Sequence, residues 1–371
     1  MEFYLTLSLL FLLALVVALV ATPLVRELAV KINALDLPAE RKLHRQPVPR
    51  LGGIAIYLAF AITLCTGLLF SDALLAIFQK SLRSWLGLLF GGSVVLALGI
   101  VDDIYQLRPR VKLLFQVLAS SIVLVSGLHV TKLASPLDGV LHLGYFSVPV
   151  TLLWLVGITN AMNLIDGLDG LASGVALIIT ATILCMSLNF GNTGVAVVCS
   201  ILCGSTLGFL RYNFNPARIF MGDSGSMFLG FTLAVISLQG AQKSTTAVAI
   251  FIPILFFGLP IADTSLALWR RLVSPGRADT GAVLRRVLQA DRGHIHHKLI
   301  DLGLSHRAAV LTLYVVTMGL SSLALLLTAL KSETAAVVLT VTVAVALLLL
   351  RFVSGWGQRL RRSGSQAGSS S

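Results

Sequence analysis

Long apolar runs, separated by short polar stretches, recur along almost the whole chain. Each run approaches the roughly 20 residues that a helix needs to cross a hydrocarbon core about 30 Å thick. The pattern therefore predicts an all-α integral membrane protein with about 11 transmembrane helices. The expected spans are 4–22, 51–70, 84–101, 111–130, 148–160, 171–189, 194–210, 226–240, 245–269, 309–329 and 334–352.

Composition indicates the same class, because 56% of the 371 residues are hydrophobic and only 12% are charged. A soluble domain carries about twice that charged fraction. No linker rich in Pro, Gly or Ser divides the chain, so residues 1–352 are expected to form one polytopic domain, followed by a disordered tail over 353–371. Turn residues between short alternating runs in 131–147 predict a small β-hairpin.

Positive charges set the expected orientation of the spans. The first span follows the acidic Glu2 and precedes Arg26 and Lys31, which places the N-terminus outside. With 11 spans from that start, 23 of the 28 Lys and Arg fall in cytoplasmic segments, as the positive-inside rule requires. The C-terminus is then cytoplasmic, and the predicted hairpin is extracytoplasmic.

The formal net charge of +12 needs no nucleic-acid partner. Basic segments beside a membrane meet anionic lipid headgroups, and a phosphate-bearing substrate at the same surface is equally compatible. All four cysteines lie within apolar runs, so we interpret them as packing residues without a disulfide or metal.

Acidic residues mark the places where chemistry is expected. The candidates are the pair Asp102 and Asp103, the "NLIDGLDG" group Asn163, Asp166 and Asp169, the "MGDSG" residue Asp223, and Asp263 within the ninth span. Carboxylates bordering a membrane interior are costly and usually functional. If the "NLIDGLDG" segment is helical, its three polar residues lie on one side. Hard oxygen ligands of this kind suit Mg²⁺ bound to a substrate phosphate. Asp36, Asp279 and Asp301 are interpreted as ordinary solvated carboxylates or helix caps.

Glycines and histidines extend the same picture. The glycines of "DGLDG" and "MGDSG" let the backbone approach a ligand, although glycine in membrane helices also serves helix packing. The segment "DRGHIHHKL" brings together Arg292, His294, His296 and His297 without the spacing of a zinc helix, which favours a diphosphate over a metal. Lys42 and Lys112 are either membrane anchors or phosphate ligands.

Taken in order along the chain, these motifs resemble the polyprenyl-phosphate N-acetylhexosamine-1-phosphate transferases of glycosyltransferase family 4. The resemblance runs from "RKLHRQPVPRLGG" to "RGHIHHKL" and so covers most of the chain. The reading "HIHH" is similar to the WecA and TagO branch, whereas the phospho-MurNAc-pentapeptide transferases typically read "HHH". The resemblance implies transfer of GlcNAc-1-phosphate from UDP-GlcNAc to undecaprenyl phosphate, with release of UMP and a requirement for Mg²⁺ or alternatively Mn²⁺.

The resemblance also assigns roles to residues. It implies catalytic roles for Asp102, Asp103 and Asp166, and metal binding by Asp223, Asn163 and Asp103. The implied substrate-binding residues are Lys42, Lys112, Asp169, Asn213 (or Asn215), Arg292, His294, His296 and His297. The implied location is the bacterial cytoplasmic membrane, with the active site on its cytoplasmic face, at the first membrane step of a cell-envelope polysaccharide pathway. A homodimer is a further expectation of the resemblance.

Two mechanisms and two other functions stay open from sequence. Either the lipid phosphate attacks directly, with Asp102 accepting its residual proton, or an Asp carboxylate attacks first. A phospho-MurNAc-pentapeptide transferase is the alternative donor specificity. An ion-coupled transporter is the alternative class, and Asp263 inside a span is the residue that fits it best.

Overall fold

The computed structural model of the protein describes residues 1–38, 46–135, 139–241, 251–273 and 294–330. Within these ranges helices dominate. They are α1 Glu2–Lys31, α2 Gly52–Phe70, α3 Asp72–Gln79, α4 Leu82–Tyr105, α5 Pro109–Val125, α6 Ser147–Leu164, α7 Leu171–Asn189, α8 Thr193–Asn213, α9 Gly222–Ala241, α10 Phe251–Phe256, α11 Gly258–Val273, α12 Ile295–Asp301 and α13 His306–Ala329.

In this described part, seven helical segments are long and apolar enough to cross a membrane: α1, α2, α4, α6 with its preceding turn, α7, α8 and α13. The prediction of an all-α, multi-pass membrane protein is confirmed. Large apolar side chains along the outer face of α1, such as Leu5, Leu12 and Leu24, are exposed, as expected for a surface that meets lipid. The predicted span 334–352 and the tail 353–371 lie outside the described residues.

The predicted ninth span is not one helix in the part that the structure describes. Helix α10 ends at Phe256 and α11 begins at Gly258. Pro260 has no N–H to donate to the carbonyl of Phe256 four residues earlier, so the helical hydrogen-bond ladder is interrupted there. Residues 242–250, which would begin that span, lie outside the described residues.

Two short antiparallel strand pairs accompany the helices. Strands β1 (Leu35–Asp36) and β2 (Val48–Pro49) pair across the basic loop that precedes α2, which the sequence did not predict. Strands β3 (Lys132–Ser135) and β4 (Gly139–His142) pair within the segment for which a hairpin is predicted, with Lys132 opposite His142.

Helix α9 lies at the centre of the bundle, packed against α4, α6 and α2. Glycines let these helices approach closely. A Cβ on Gly53 of α2 would lie 2.1 Å from the Gly225 nitrogen, and one on Gly99 of α4 would lie 2.4 Å from the Ser224 Cα. Both contacts are with the first turns of α9, so these two glycines fix where α9 begins.

Backbone hydrogen bonds from the start of α2, and from Pro49 just before it, also hold the start of α9. The Gly52 and Gly53 N–H groups donate to the carbonyls of Phe220 and Met221, each at 3.0 Å. The Phe220 N–H donates in return to the carbonyl of Pro49 at 2.8 Å. These backbone bonds join the β2 end of the basic loop to the segment that carries Asp223.

Replacing Gly99 with alanine is expected to lower the free energy of unfolding by about 1–3 kcal/mol, the usual cost of overpacking a close contact. The added methyl would meet backbone atoms of Asp223 and Ser224, which cannot rotate away. The measurement is the thermal unfolding midpoint of the purified protein in detergent. Gly157→Ala in α6 is the matched control, because no described atom outside its own helix backbone lies within 4 Å of that Cβ. Equal midpoints for both variants would contradict the packing assignment.

Candidate active site

The carboxylate of Asp103, near the end of α4, caps the first turn of α9. Its Oδ1 accepts from the Asp223 N–H at 2.8 Å, and its Oδ2 accepts from the Ser224 N–H at 3.1 Å. A negative charge is favoured at a helix N-terminus, where backbone N–H groups lack intrahelical partners. Gly222 has a φ of 72°, and a Cβ there would lie 2.4 Å from Asp103 Oδ2, so both conformation and space call for glycine.

Lys112, in the first turns of α5, places its ammonium between two carboxylates. Its Nζ lies 2.5 Å from Asp102 Oδ2 and 2.6 Å from Asp223 Oδ2. The other oxygen of Asp102 accepts from the Leu107 N–H at 2.7 Å, in the turn that joins α4 to α5. The structure therefore places two predicted acidic residues, from α4 and α9, around the ammonium of Lys112, a third predicted residue.

The "NLIDGLDG" segment is a turn rather than a continuous helix, because α6 ends at Leu164 and α7 begins at Leu171. Asn163, in the last turn of α6, donates from Nδ2 to Ser226 Oγ at 2.9 Å and also interacts with the Asp223 carboxylate. The three polar residues were expected to share one side only if the segment is helical. Asn163 lies in a helix, but Asp166 and Asp169 do not, so that condition is not met.

Asp166 lies in this turn within electrostatic reach of the same acids. Burial raises its pKa well above the usual range, and the nearby charges of Asp223 and Asp103 raise it further. The Arg50 guanidinium acts in the opposite direction. The carboxylates in this partly desolvated region therefore outnumber the basic groups beside them, Lys112 and Arg50. The four carboxylates are those of Asp102, Asp103, Asp166 and Asp223. Such an excess of negative charge attracts a cation.

Asp169 and Asn213 are engaged within the fold. Asp169 Oδ2 accepts from Asn215 Nδ2 at 2.9 Å and from the Ala217 N–H at 3.0 Å, while the Asp169 N–H donates to His306 Nε2. Asn213, only 2% exposed, accepts from Ser173 and donates to the carbonyl of Ile219. The structure does not bring these side chains to the Lys112 cluster, and it uses them to hold the turns on either side.

The histidine segment packs against the turn that carries Asp166. His296 is 2% exposed, and a Cβ on Gly167 would lie 2.3 Å from its Nε2. Its ring stacks on that of His294 with centroids 5.6 Å apart, and lies 4.4 Å from that of His297. Burial and the neighbouring His297 lower the pKa of His296 to about 4, so this imidazole is neutral at neutral pH.

Arg50 and Asp36 contribute to this region, although neither was predicted as a site residue. Arg50 forms an ion pair with Asp36, which is buried, so the interpretation of Asp36 as an ordinary solvated carboxylate is wrong. Asp263 binds the backbone and ring of the histidine segment. For Arg50, the sequence offered one signal of a role near the site: its position directly before the "LGG" that opens α2. The predicted ligands Lys42 and Arg292 lie outside the described residues.

The donor set fits an open magnesium site rather than a closed one. Among the described residues, no three Asp, Glu, His or Cys side chains converge closely enough to enclose a metal by themselves. Mg²⁺ takes one or two carboxylates and completes its shell with water and phosphate oxygens. Asp102 and Asp223 already hold a cation between them in the form of the Lys112 ammonium, so this pair suits such a site.

A helical membrane protein with carboxylates, a lysine and histidines gathered at one end of its bundle belongs, as a class, to the enzymes that handle phosphate-bearing substrates at a membrane surface. Comparison with known proteins gives the family. Residues 85–241 match the model described as glycosyl transferase family 4. The chain is 41% identical over 308 residues to the probable undecaprenyl-phosphate N-acetylglucosaminyl 1-phosphate transferase of Bacillus subtilis (strain 168), covering 82% of this chain and 80% of that protein.

Two further relatives refine this picture. The decaprenyl-phosphate N-acetylglucosaminephosphotransferase of Mycolicibacterium smegmatis is 35% identical over 325 residues, covering 81% of this chain and 77% of that protein. The phospho-N-acetylmuramoyl-pentapeptide-transferase of Clostridium perfringens (strain SM101 / Type A) is 45% identical over only 102 residues, or 28% of this chain and 32% of that protein. The chain belongs to the polyprenyl-phosphate hexosamine-1-phosphate transferases of glycosyl transferase family 4, as the motifs predicted.

His296 is expected to titrate at about pH 4 in the folded protein, against about 6.5 for an unperturbed imidazole. Above pH 6.5 neither the folded nor the unfolded state binds this proton. As the pH falls from about 6.5 towards 4, only the unfolded state binds it, so the free energy of unfolding decreases over that window. The measurement is an NMR titration of isotope-labelled histidine, with the signal assigned by its loss in His296→Gln. A signal assigned in this way that titrated near pH 6.5 would contradict the buried position of His296.

Proposed function

We propose that the protein transfers N-acetylglucosamine-1-phosphate from UDP-GlcNAc to undecaprenyl phosphate, giving a lipid-diphosphate-linked sugar and UMP. The observation that carries this proposal is the Lys112 ammonium held between Asp102 and Asp223 at the polar end of a membrane bundle. The extensive similarity to two N-acetylglucosamine-phosphate transferases supports this donor. The similarity to a phospho-N-acetylmuramoyl-pentapeptide transferase spans little more than a quarter of the chain, which makes that donor the weaker alternative.

Lys112 and the histidine segment supply the contacts for phosphate. The ammonium has three hydrogens, of which two point to Asp102 and Asp223, leaving one for a phosphate oxygen. His296 lies against the turn beside Asp166 and its ring stacks on that of His294, so the pair is placed to bind the nucleotide diphosphate. Lys112 then holds the lipid phosphate close to the diphosphate that it attacks, which is the contribution of proximity.

Mg²⁺, with Mn²⁺ as the alternative, is the proposed cofactor. Asp223 would hold it together with Asp102, and Asn163 would orient Asp223. The bound ion would neutralise charge on the diphosphate as it develops at the leaving phosphate. In this proposal Asp103 acts by fixing the first turn of α9, because both of its oxygens already accept backbone N–H groups.

Direct attack by the lipid phosphate is the mechanism that we favour. Its oxygen forms a bond to the β-phosphorus of UDP-GlcNAc, the bond from that phosphorus to the bridging oxygen breaks, and UMP leaves. The carboxylate of Asp102 is engaged by Lys112 and the Leu107 N–H, and Asp103 by two N–H groups, which weakens both as nucleophiles. A phosphate monoester has a second pKa near 6, so at neutral pH most of the lipid phosphate is already ionised and can attack without a protein base.

The same proposal includes the membrane topology of 11 spans with the N-terminus outside. Asp102 lies at the end of α4, Lys112 at the start of α5 and Asn163 at the end of α6. The β3–β4 hairpin connects the opposite ends of α5 and α6. The active site therefore faces the cytoplasm of a bacterium if the hairpin is extracytoplasmic, as the charge asymmetry predicts. A homodimer remains an expectation of the resemblance.

Purified protein with UDP-GlcNAc, undecaprenyl phosphate and Mg²⁺ is expected to release UMP and form a lipid-linked GlcNAc. Asp223→Asn is expected to lower kcat by about 10²–10³-fold, the typical loss when one preorganised electrostatic contact is removed. The measurements are UMP release and chromatography of the lipid product. Asp72→Asn is the matched control, because Asp72 is exposed at the start of α3, away from this cluster.

The outcomes of this assay separate the alternatives. Near-normal UMP release by Asp223→Asn at saturating Mg²⁺ would contradict the assignment of Asp223 as a Mg²⁺ ligand. Turnover of UDP-MurNAc-pentapeptide without turnover of UDP-GlcNAc would correct the donor alone. Inactivity with every UDP-sugar would overturn the proposed reaction.

Cysteine labelling tests the topology. In a background with the exposed Cys65 and Cys185 replaced by serine, His142→Cys in β4 is expected to react with a membrane-impermeant maleimide in intact spheroplasts. Leu302→Cys, whose native side chain is 76% exposed just after α12, is expected to react only after permeabilisation. Labelling of Leu302→Cys in intact spheroplasts would reverse the proposed orientation.

A further inference from the structure

Asp263 is a candidate acidic residue to which the proposed transferase mechanism gives no role. It lies on α11, it is 2% exposed, and both of its carboxylate oxygens are engaged by the histidine segment. Its Oδ2 lies 2.8 Å from His294 Nδ1, and its Oδ1 accepts from the Ile295 N–H at 2.7 Å. A carboxylate held in this way is committed to one partner segment, unlike the exchanging acid of an ion relay.

These two contacts fix the position of His294 and the hydrogen-bonding role of its Nδ1. The backbone bond holds the first residue of α12, and the ring bond holds the imidazole plane of His294, whose side chain is 8% exposed. An ionised carboxylate only accepts hydrogen bonds, so the His294 Nδ1 must carry a hydrogen. Nε2 is then the ring nitrogen that remains for a ligand.

The fixed imidazole is connected to the candidate active site through a second histidine. The His294 and His296 rings are nearly parallel, at 10°, with centroids 5.6 Å apart. His296 in turn packs on Gly167, the neighbour of Asp166. A change in the orientation of His294 therefore acts on the face of the "DGLDG" turn where the diphosphate is proposed to bind.

We propose that Asp263 is a positioning residue of the transferase, which orients His294 and keeps a hydrogen on its Nδ1 so that Nε2 faces the diphosphate of the nucleotide sugar. The identity of that ligand rests on the proposed function, whereas the orientation and protonation of His294 do not. A carboxylate behind an imidazole commonly fixes both the ring orientation and the tautomer, and loss of such a partner typically costs 10–100-fold in activity.

Asp263→Asn is the informative variant, because it keeps the size of the side chain. If the amide oxygen keeps the Ile295 N–H, the amide NH₂ faces His294 Nδ1, and the imidazole must shift its hydrogen to Nε2. We expect the KM for UDP-GlcNAc to rise by about 10–100-fold, with the KM for undecaprenyl phosphate unchanged. Asp263→Glu restores the charge and is expected to recover part of the loss.

The matched control is Thr264→Ala, one residue further along α11. The Thr264 hydroxyl is buried and has no hydrogen-bond partner among the described residues, so its removal deletes no hydrogen bond there. This control is expected to keep both KM values and the His294 signals. A loss caused only by general disturbance of α11 would appear in both variants and would overturn the proposal.

The decisive readout is the ¹⁵N NMR spectrum of labelled histidine without substrate, with His294 assigned by the signal lost in His294→Gln. The expected result is a protonated Nδ1 in the unmodified protein and in Asp263→Glu, and an unprotonated Nδ1 in Asp263→Asn. An unprotonated Nδ1 in the unmodified protein would overturn the proposal, even if Asp263→Asn failed to fold. An unchanged KM for UDP-GlcNAc in Asp263→Asn would also overturn it.

The same spectra separate this proposal from the proposed function. If the unmodified protein turns over no UDP-sugar, the proposed function fails. Loss of the Nδ1 hydrogen in Asp263→Asn would then still support the positioning of His294, and an unprotonated Nδ1 in the unmodified protein would still overturn it.

Discussion

The carboxylate of Asp103 bound to the first two N–H groups of α9 is the contact on which the rest of the site depends. It joins the end of α4 to the start of α9. It also accepts hydrogen bonds from two backbone N–H groups, which would be costly to leave unpaired near a membrane interior. Gly99 and Gly222 allow the approach because neither has a side chain in the way. Asp223 is thereby brought next to Asp102, and Lys112 from α5 closes the group.

This arrangement concentrates more negative than positive charge in a small, partly desolvated region. Lys112 is the counter-charge between Asp102 and Asp223, while Arg50 acts from the side of Asp166. In the proposed reaction a magnesium-bound diphosphate would supply a cation for the carboxylates, and the lipid phosphate would supply an oxygen for Lys112. The two substrates together would therefore satisfy both kinds of group. The ends of the membrane helices carry Asp102, Lys112 and Asp223, and the turn between α6 and α7 adds Asp166.

Sequence was sufficient for properties that depend on local pattern. Apolar runs predicted the membrane class and located seven helices, among the described residues, that are long and apolar enough to cross a membrane. The motif order predicted the family. Contacts between distant residues were not predictable in the same way. Asp103 looks like a free acid until the N–H groups of Asp223 and Ser224, more than 100 residues away, are placed against it. Asp263 looked like the acid of a transporter because its partner, His294, lies beyond the end of its helix. The helical interpretation of "NLIDGLDG" failed because α6 ends at Leu164, and Gly170, directly before α7, has a φ of 79°.

Binding of Mn²⁺, followed by electron paramagnetic resonance in the presence of UDP-GlcNAc, tests most directly whether the Asp102, Asp223 and Lys112 group is a cation–diphosphate site. The prediction is one bound Mn²⁺ per chain, competed by Mg²⁺, with affinity reduced by at least about tenfold in Asp223→Asn. Equal Mn²⁺ affinity in Asp223→Asn and the unmodified protein would contradict the site.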